Sequence, residues 1–499
     1  MGDGDTIATT TSLCPECLES VPGRYERRDG GVFLTRECAD HGPASRRVWG
    51  SFDHWEWAAE FGPDPEHDGG DLAVDDDHAC LAVVEVTDSC NLSCSYCFAS
   101  SGPGGAHRPT EEVTALLNTV ADAGGRPIQF SGGEPTVRDD LPELVERARS
   151  RGIDHIEVNT NGIRLATEAG YAAALKEAGV TAIYLQFDGL TSETYELIRE
   201  ADILEEKHAA IEACQDVGLP VVLVPTVVPD VNDHEMGDIV RFAVENRDVV
   251  RSVNFQPVAH FGRYERNDGR FALDDATRRL AEQVETLEPR DMLPAPCCSA
   301  YCQIGTAFVP EGFDAETPTA DAESFVPLTK YIDDGLWGTL SGMVDEGEYM
   351  DLLAGTAAGE EWACTTAGCC GIDVPGGVDG LFDEVVPVSI TGFMDADAAD
   401  LNRLSNCCIS VPTTDGELAP FCGYNMTTED GEYALRNRNE WGGRNVVNDA
   451  PATDQSPADA GGDTEGISDG GHARDVRDAH NAQDACGTSD SKDHYGTKR

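Results

Sequence analysis

The chain has 499 residues, with 92 Asp and Glu against 35 Lys and Arg, for a net charge of −57. So acidic a surface repels nucleic acid and anionic membranes at ordinary salt, and no nucleic-acid partner is expected. No run of about 18 apolar residues is present to span a bilayer, and the acidic opening Met1-Gly2-Asp3-Gly4-Asp5 lacks the pattern of a secretory leader.

Only five of the cations are Lys. This balance resembles that of proteins from salt-filled cells, where at about 1 M salt the Debye length of roughly 3 Å screens self-repulsion. Structure is therefore expected to be lost reversibly on dilution into low salt; circular dichroism unchanged by desalting would count against this. The 18 Cys, without a leader, favour metal sites over disulfides and point to a reducing cytoplasm.

Residues 12–50 read as a small metal module. Cys14 and Cys17 open it, Cys38 and His41 close it, and the segment 23–34 between them reads as a hairpin with a Gly turn. A C-x2-C and C-x2-H pair supplies a tetrahedral set, as in a zinc ribbon or a rubredoxin-like iron site, and staples a piece too small for its own core. Residues 62–78 read as a linker.

From 81 to about 260 the predicted elements alternate. The strands are 81–86, 127–130, 153–159, 182–187, 221–227 and 252–256; the helices are 110–123, 139–151, 168–178, 204–217 and 234–246. A βα repeat of about 30 residues implies a parallel sheet with right-handed crossovers. Six units make an α/β, TIM-like partial (β/α)6 barrel within residues 79–290, with its active rim at the C-terminal strand ends. Residues 291–430 read as a Cys-rich domain, and 443–499 as a disordered acidic tail too poor in apolar residues to offset its ordering entropy.

Three thiols follow the first strand at C-x3-C-x2-C spacing: Cys90, Cys94 and Cys97. Three thiolates can hold three irons of a [4Fe–4S] cube and leave the fourth open; a zinc knuckle is the alternative use of close Cys. Ser131-Gly132-Gly133-Glu134-Pro135 ends the second strand. Asn161 ends the third and Asp188 the fourth, with turn chemistry as the competing reading; Asn232 and Gln256 are further polar residues near later strand ends. In the Cys-rich region, Cys297, Cys302, Cys364, Cys369, Cys407 and Cys422 are candidate ligands for one or two auxiliary clusters, with buried structural Cys as the alternative.

The triad, the aromatic Tyr96 before its third Cys and the strand in front resemble the radical S-adenosylmethionine (SAM) superfamily. The resemblance implies that Cys90, Cys94 and Cys97 hold the catalytic cluster. It also implies that Gly132, Gly133 and Glu134 receive the methionine amine of SAM, and that Asn161 and Asp188 face SAM or substrate. Reductive cleavage of SAM would then give a 5′-deoxyadenosyl radical, with the electron coming from a donor such as ferredoxin.

The tract from Met394-Asp395-Ala396-Asp397 to Pro420-Phe421-Cys422-Gly423-Tyr424-Asn425, with the N-terminal module, resembles the class D methylase group. That group includes enzymes acting on dihydro-hydroxymethylpterin and the tetraether lipid synthases. Two activities follow as expectations: carbon–carbon coupling of lipid alkyl chains as the leading one, and methylation of a pterin-like heterocycle as the alternative. Arg263 and Arg403 are candidate cations for an anionic lipid. A non-enzymatic iron–sulfur electron carrier is the remaining alternative, although it has no need of the segment 131–135.

Overall fold

A computed structural model describes residues 4–61, 80–124, 127–264, 270–294, 299–311, 324–331, 385–428 and 430–436. The linker 62–78, the tail 443–499 and the candidate ligands Cys297, Cys364 and Cys369 lie outside these residues.

The N-terminal module is larger than the hairpin read from sequence. Strands β1 (Thr6–Leu13), β2 (Ser20–Arg28), β3 (Gly31–Cys38) and β4 (Gly42–Trp49) form an antiparallel sheet in chain order. Asp29 and Gly30, with φ of 50° and 79°, make the β2–β3 turn, the left-handed pair that matches strand twist in a two-residue hairpin. The other two connections carry the metal-type residues, Cys14 with Cys17 and Cys38 with His41.

The barrel strands are β5 (Leu81–Thr87), β6 (Ile128–Gly132), β7 (Ile156–Thr160), β8 (Ala182–Gln186), β9 (Val221–Val224) with the short β10 (Thr226–Val227), and β11 (Val250–Pro257). They pair in parallel in the order β5-β6-β7-β8-β9-β11, the six-unit partial barrel. All seven residues of β5 are buried, because helices cover one side of a parallel sheet and the barrel interior the other. Helix Leu141–Arg149 shows how that outer side is covered: Leu141, Leu144, Val145 and Ala148 are buried at helical spacing.

The C-terminal region does not stand apart from the barrel. Strands β12 (Leu293–Pro294), β13 (Gln303–Pro310), β14 (Phe325–Pro327), β15 (Val386–Thr391), β16 (Ile409–Pro412) and β17 (Leu418–Pro420) extend the same sheet at both ends. β15 lies parallel to β11 and β16 parallel to β5. The boundary drawn near residue 290 therefore falls inside one sheet; Cys spacing marks ligands, not strand partners.

Residues 392–408 run from the β11 side of the barrel to the β5 side, and the N-terminal module grips them. Ser12 Oγ donates to Ala399 O at 2.6 Å, Thr10 Oγ1 to Asp400 Oδ1 at 2.7 Å, and Tyr25 OH to the other Asp400 oxygen. Arg36, almost fully buried, donates to the carbonyls of Ala396 at 3.1 Å and Asp397 at 3.0 Å. Trp55 stacks on Tyr301 at 3.8 Å. A structural zinc contributes about 10–16 kcal/mol to folding of a small finger, so Cys38→Ser is expected to free the module and loosen this crossing segment. A lower melting temperature, matched by treating the parent protein with a zinc chelator, is the expected result; an unchanged melt would refute it.

Candidate active site

A cavity of about 210 Å³ opens at the C-terminal ends of the barrel strands, lined by Cys90, Cys94, Cys97, Gly132, Gly133, Glu134 and Asn161. The sequence-predicted triad and SAM segment therefore share one chamber. Arg263 holds the Cys loop from the β11 side: its backbone pairs with Cys97 (2.8 and 3.0 Å), Nε donates to Cys94 O at 2.6 Å and Nη2 to Ser101 O at 2.9 Å. Tyr433 OH donates to Phe98 O at 2.7 Å. Arg436 pairs with the buried Glu85 of β5, which also accepts from Tyr424 OH at 3.1 Å.

Burial pushes the Cys90 and Cys94 thiols above the ordinary thiol range, so their thiolate forms depend on a bound cation. Among the described residues, the Cys14, Cys17, Cys38 and His41 set alone brings its ligand atoms within 4.8 Å of one another. Sulfurs on one zinc at 2.3 Å lie about 3.8 Å apart. The ribbon quartet thus has the spacing for a single ion.

The glycines of the second motif, which line the chamber, also make close backbone contacts within the protein. Gly133 N donates to Thr87 O and Glu134 N to Ser89 O, at 2.6 and 2.9 Å, joining the β6 end to the loop after β5. A Cβ on Gly132, whose φ is 122°, would lie 2.3 Å from Thr87 O; one on Gly133 would lie 2.3 Å from Ser89 O. The close approach they permit is first to the Cys loop's own backbone. Gly133→Ala is expected to displace Ser89 and Cys90 and lower the iron content after reconstitution several-fold; wild-type iron content in that variant would disprove the crowding argument.

Glu134 is 2% exposed and its carboxylate is engaged by protein. It accepts from Thr136 N (3.0 Å), Thr136 Oγ1 (2.6 Å), Thr160 Oγ1 (2.7 Å) and Asn161 N (2.7 Å). It fastens the β6 end to the β7 turn. Asn161 continues the chain, donating through Nδ2 to Asn91 Oδ1 at 2.7 Å inside the Cys loop.

Asp188 lies behind the chamber wall, fully buried, not on it. Both its oxygens take Arg199, Nε to Oδ2 and Nη2 to Oδ1, each at 2.7 Å, and Oδ1 also accepts from Thr226 N at 3.0 Å. Arg199 is the lining residue, and its electrostatic partners include the Cys94 thiol. Sequence reading passed over the helix Ser192–Arg199 that carries it, although Tyr195 and Ile198 at helical spacing after Thr191-Ser192 marked it. Beneath them Lys207, fully buried, donates to Asn161 O and to Gln186 Oε1 (3.0 Å). Burial brings its ammonium down to about 7. Asn232 is a loop brace, donating to Asp188 O and Thr226 O at 2.8 Å, whereas Gln256 does line the chamber.

Of the C-terminal candidates, Cys302 Sγ accepts from Arg403 Nη2 at 3.2 Å, Cys407 Sγ contacts Ile409 O at 3.3 Å, and the buried Cys422 accepts from Met394 N at 3.4 Å. The structure does not gather Cys302, Cys407 and Cys422 into one tight ligand group among the described residues. Arg403 faces Cys302 and Tyr301 O, away from the main chamber.

Residues 84–243 match the model of the radical SAM superfamily, and residues 6–50 that of an HMPTM N-terminal zinc ribbon domain. Over 474 residues the chain is 31% identical to 7,8-dihydro-6-hydroxymethylpterin dimethyltransferase of Methanocaldococcus jannaschii, covering 83% of this chain and 93% of that one. The chain belongs to the radical SAM superfamily. It is a radical SAM enzyme, and membership implies a [4Fe–4S] cluster and SAM as cofactors. A probable GTP 3′,8-cyclase of Methanothermobacter thermautotrophicus is 36% identical over 172 residues, which span 34% of this chain and 55% of that relative. Among solved structures, Streptococcus suis SuiB bound to S-adenosylmethionine overlaps 41% of this chain and 47% of its own, at 18% identity and a TM-score of 0.36. No helix among the described residues of this radical SAM protein is long and apolar enough to cross a membrane.

Proposed function

We propose that this radical SAM enzyme methylates a small nitrogen heterocycle of the pterin class. The observation that carries this reading is the mixed lining of the chamber beyond the Cys loop. The barrel strands and the strand beside them contribute Gln129, Asn159, Gln186, Asn254, Gln256 and Thr391, and Phe98, Phe261, Phe393 and Phe421 contribute a cluster of rings. A flat ring with a hydrogen-bonding edge matches both. An alkyl chain would leave the buried acceptor Asn254 Oδ1, which has no partner among the described residues, unpaired at a cost of about 1–3 kcal/mol. The lipid-coupling expectation loses its support here, since Arg263 is engaged by the Cys loop and Arg403 turns elsewhere. The pterin alternative has the support of a relative that matches nearly end to end.

In this reading Cys90, Cys94 and Cys97 hold the cluster at three irons, and zinc sits among Cys14, Cys17, Cys38 and His41. When bound, the cluster and SAM supply a carbon radical able to take hydrogen from an unactivated carbon. The protein's own part is positional. Glu134 and Asn161 fix the SAM segment to the Cys loop, Arg199 offers a buried cation for a carboxylate, and the strand walls keep water from the reacting centre. A small one-electron donor protein such as a ferredoxin would supply the electron.

Anaerobic incubation of reconstituted protein with SAM, dithionite and 6-hydroxymethyl-7,8-dihydropterin tests the reading, with a methyl source from a cell extract. The expected products are 5′-deoxyadenosine and a pterin heavier by one or two methyl groups. Intact clusters with no 5′-deoxyadenosine would remove the cofactor assignment. Cleavage of SAM with the pterin unchanged would remove the substrate class.

A further inference from the structure

Asn254 stands out in the polar lining. Its neighbours are tied within the protein: Gln129 Nε2 donates to Glu157 Oε2 at 2.8 Å, Asn159 Nδ2 to Gln129 Oε1 at 3.4 Å, and Gln256 Nε2 to Tyr184 OH at 3.1 Å. Asn254, 3% exposed on the inner face of β11, donates through Nδ2 to Thr391 Oγ1 at 3.2 Å on β15. Its Oδ1 is a buried acceptor with no partner among the described residues. Buried polar groups are nearly always paired, and one that is not calls for a ligand or a water.

Thr391 completes the pattern. A hydroxyl has one proton and two lone pairs. Its oxygen receives the Asn254 amide, so its proton remains to be donated. Both residues line the chamber. Diagonal neighbours on adjacent parallel strands, with Asn254 in register with Ser389, they are joined by their side chains and present an acceptor, Asn254 Oδ1, next to a donor, Thr391 Oγ1–H. The complement of that pair is a donor beside an acceptor, which is the N–H and C=O edge of a cyclic amide.

We infer that Asn254 and Thr391 are the specificity-determining pair of this enzyme, reading the lactam edge of its heterocyclic substrate. The inference rests on the heterocycle reading above and adds which edge is recognised and by which residues. It also gives the ring an orientation: the lactam edge faces the β11–β15 wall, and the opposite side of the ring is left toward the Cys loop.

Equilibrium binding, followed by the ligand's own fluorescence in anaerobic reconstituted protein, tests this. The probes are 6-hydroxymethyl-7,8-dihydropterin and its N3-methyl analogue, whose lactam N–H is blocked. Wild-type protein is expected to bind the parent about tenfold or more tightly than the analogue, the worth of one buried hydrogen bond. Asn254→Leu is expected to lose that preference. Thr391→Val, which keeps the acceptor, is expected to bind both probes several-fold more weakly yet still prefer the parent, and it serves if Asn254→Leu fails to fold. Iron content matching wild type is the folding check for each.

Wild-type protein that binds and methylates the parent pterin, with the preference unchanged in Asn254→Leu, overturns this inference and leaves the proposed function standing. So does wild-type protein that binds and methylates the parent but shows no preference at all. Wild-type protein that cleaves SAM but neither binds nor alters the parent pterin overturns both.

Discussion

Glu134→Gln is expected to lower reductive SAM cleavage by roughly ten- to a hundredfold, read as 5′-deoxyadenosine formed under dithionite. The buried carboxylate accepts from four donors on two loops. Gln keeps one acceptor oxygen and brings an NH2 group to face protein N–H or O–H donors. Oε1 takes three of those bonds and Oε2 only that from Asn161 N, so Gln with its oxygen in the Oε1 place loses one bond to a charged group, about 1.5–3 kcal/mol. A change of about 2.7 kcal/mol in the productive arrangement is a hundredfold in rate. The loss reaches the chemistry because the same side chain sets Asn161, which donates into the Cys loop at Asn91. Cleavage near the wild-type rate, with a full cluster, would show that this staple between the β6 and β7 ends is dispensable.

The second large effect is expected at Arg199. Arg199→Met leaves Asp188 buried with its charge unpaired, which costs roughly 3–5 kcal/mol and should appear first as lost protein and lost iron. The informative variant is Asp188→Asn combined with Arg199→Met, which removes the buried charge together with its partner. That protein is expected to regain iron content and melting temperature yet bind SAM more than tenfold more weakly, since the cation beside Cys94 is gone. Equilibrium dialysis with SAM separates the two roles: if the double variant binds SAM as tightly as wild type, Arg199 only neutralises Asp188.

What was legible in the sequence follows from what each signal encodes. The strands of the barrel were readable because parallel strands covered on both faces are continuous apolar runs. Residues 81–84 and Val221–Val224 are such runs, and their neighbours follow at a regular interval. The cavity-facing triad and Gly132-Gly133-Glu134 were readable as motifs, but their physical work was only partly so. Spacing shows that glycine is needed, and only coordinates show that the crowding partner is Ser89 O. Asp188 pointed to the right place through the wrong atom: it is the anchor, and Arg199, eleven positions on, is the group on the wall. The edge strands β15 and β16 were hidden for a different reason. Their pairing with β11 and β5 spans over a hundred residues of chain, and no local pattern specifies a partner at that distance.

The pairing of Ile409 with Leu81 has a consequence for how the protein is made. A ribosome adding about 5–20 residues per second delivers the first of these residues tens of seconds before the second. Until then the outer edge of β5 is an open hydrogen-bonding template. The Cys loop at its tip also lacks its later covers, Phe421 and Tyr433. Iron delivered during that interval would meet three thiols in an unfinished pocket. Nascent protein stalled short of residue 409 therefore has an exposed edge through which to aggregate.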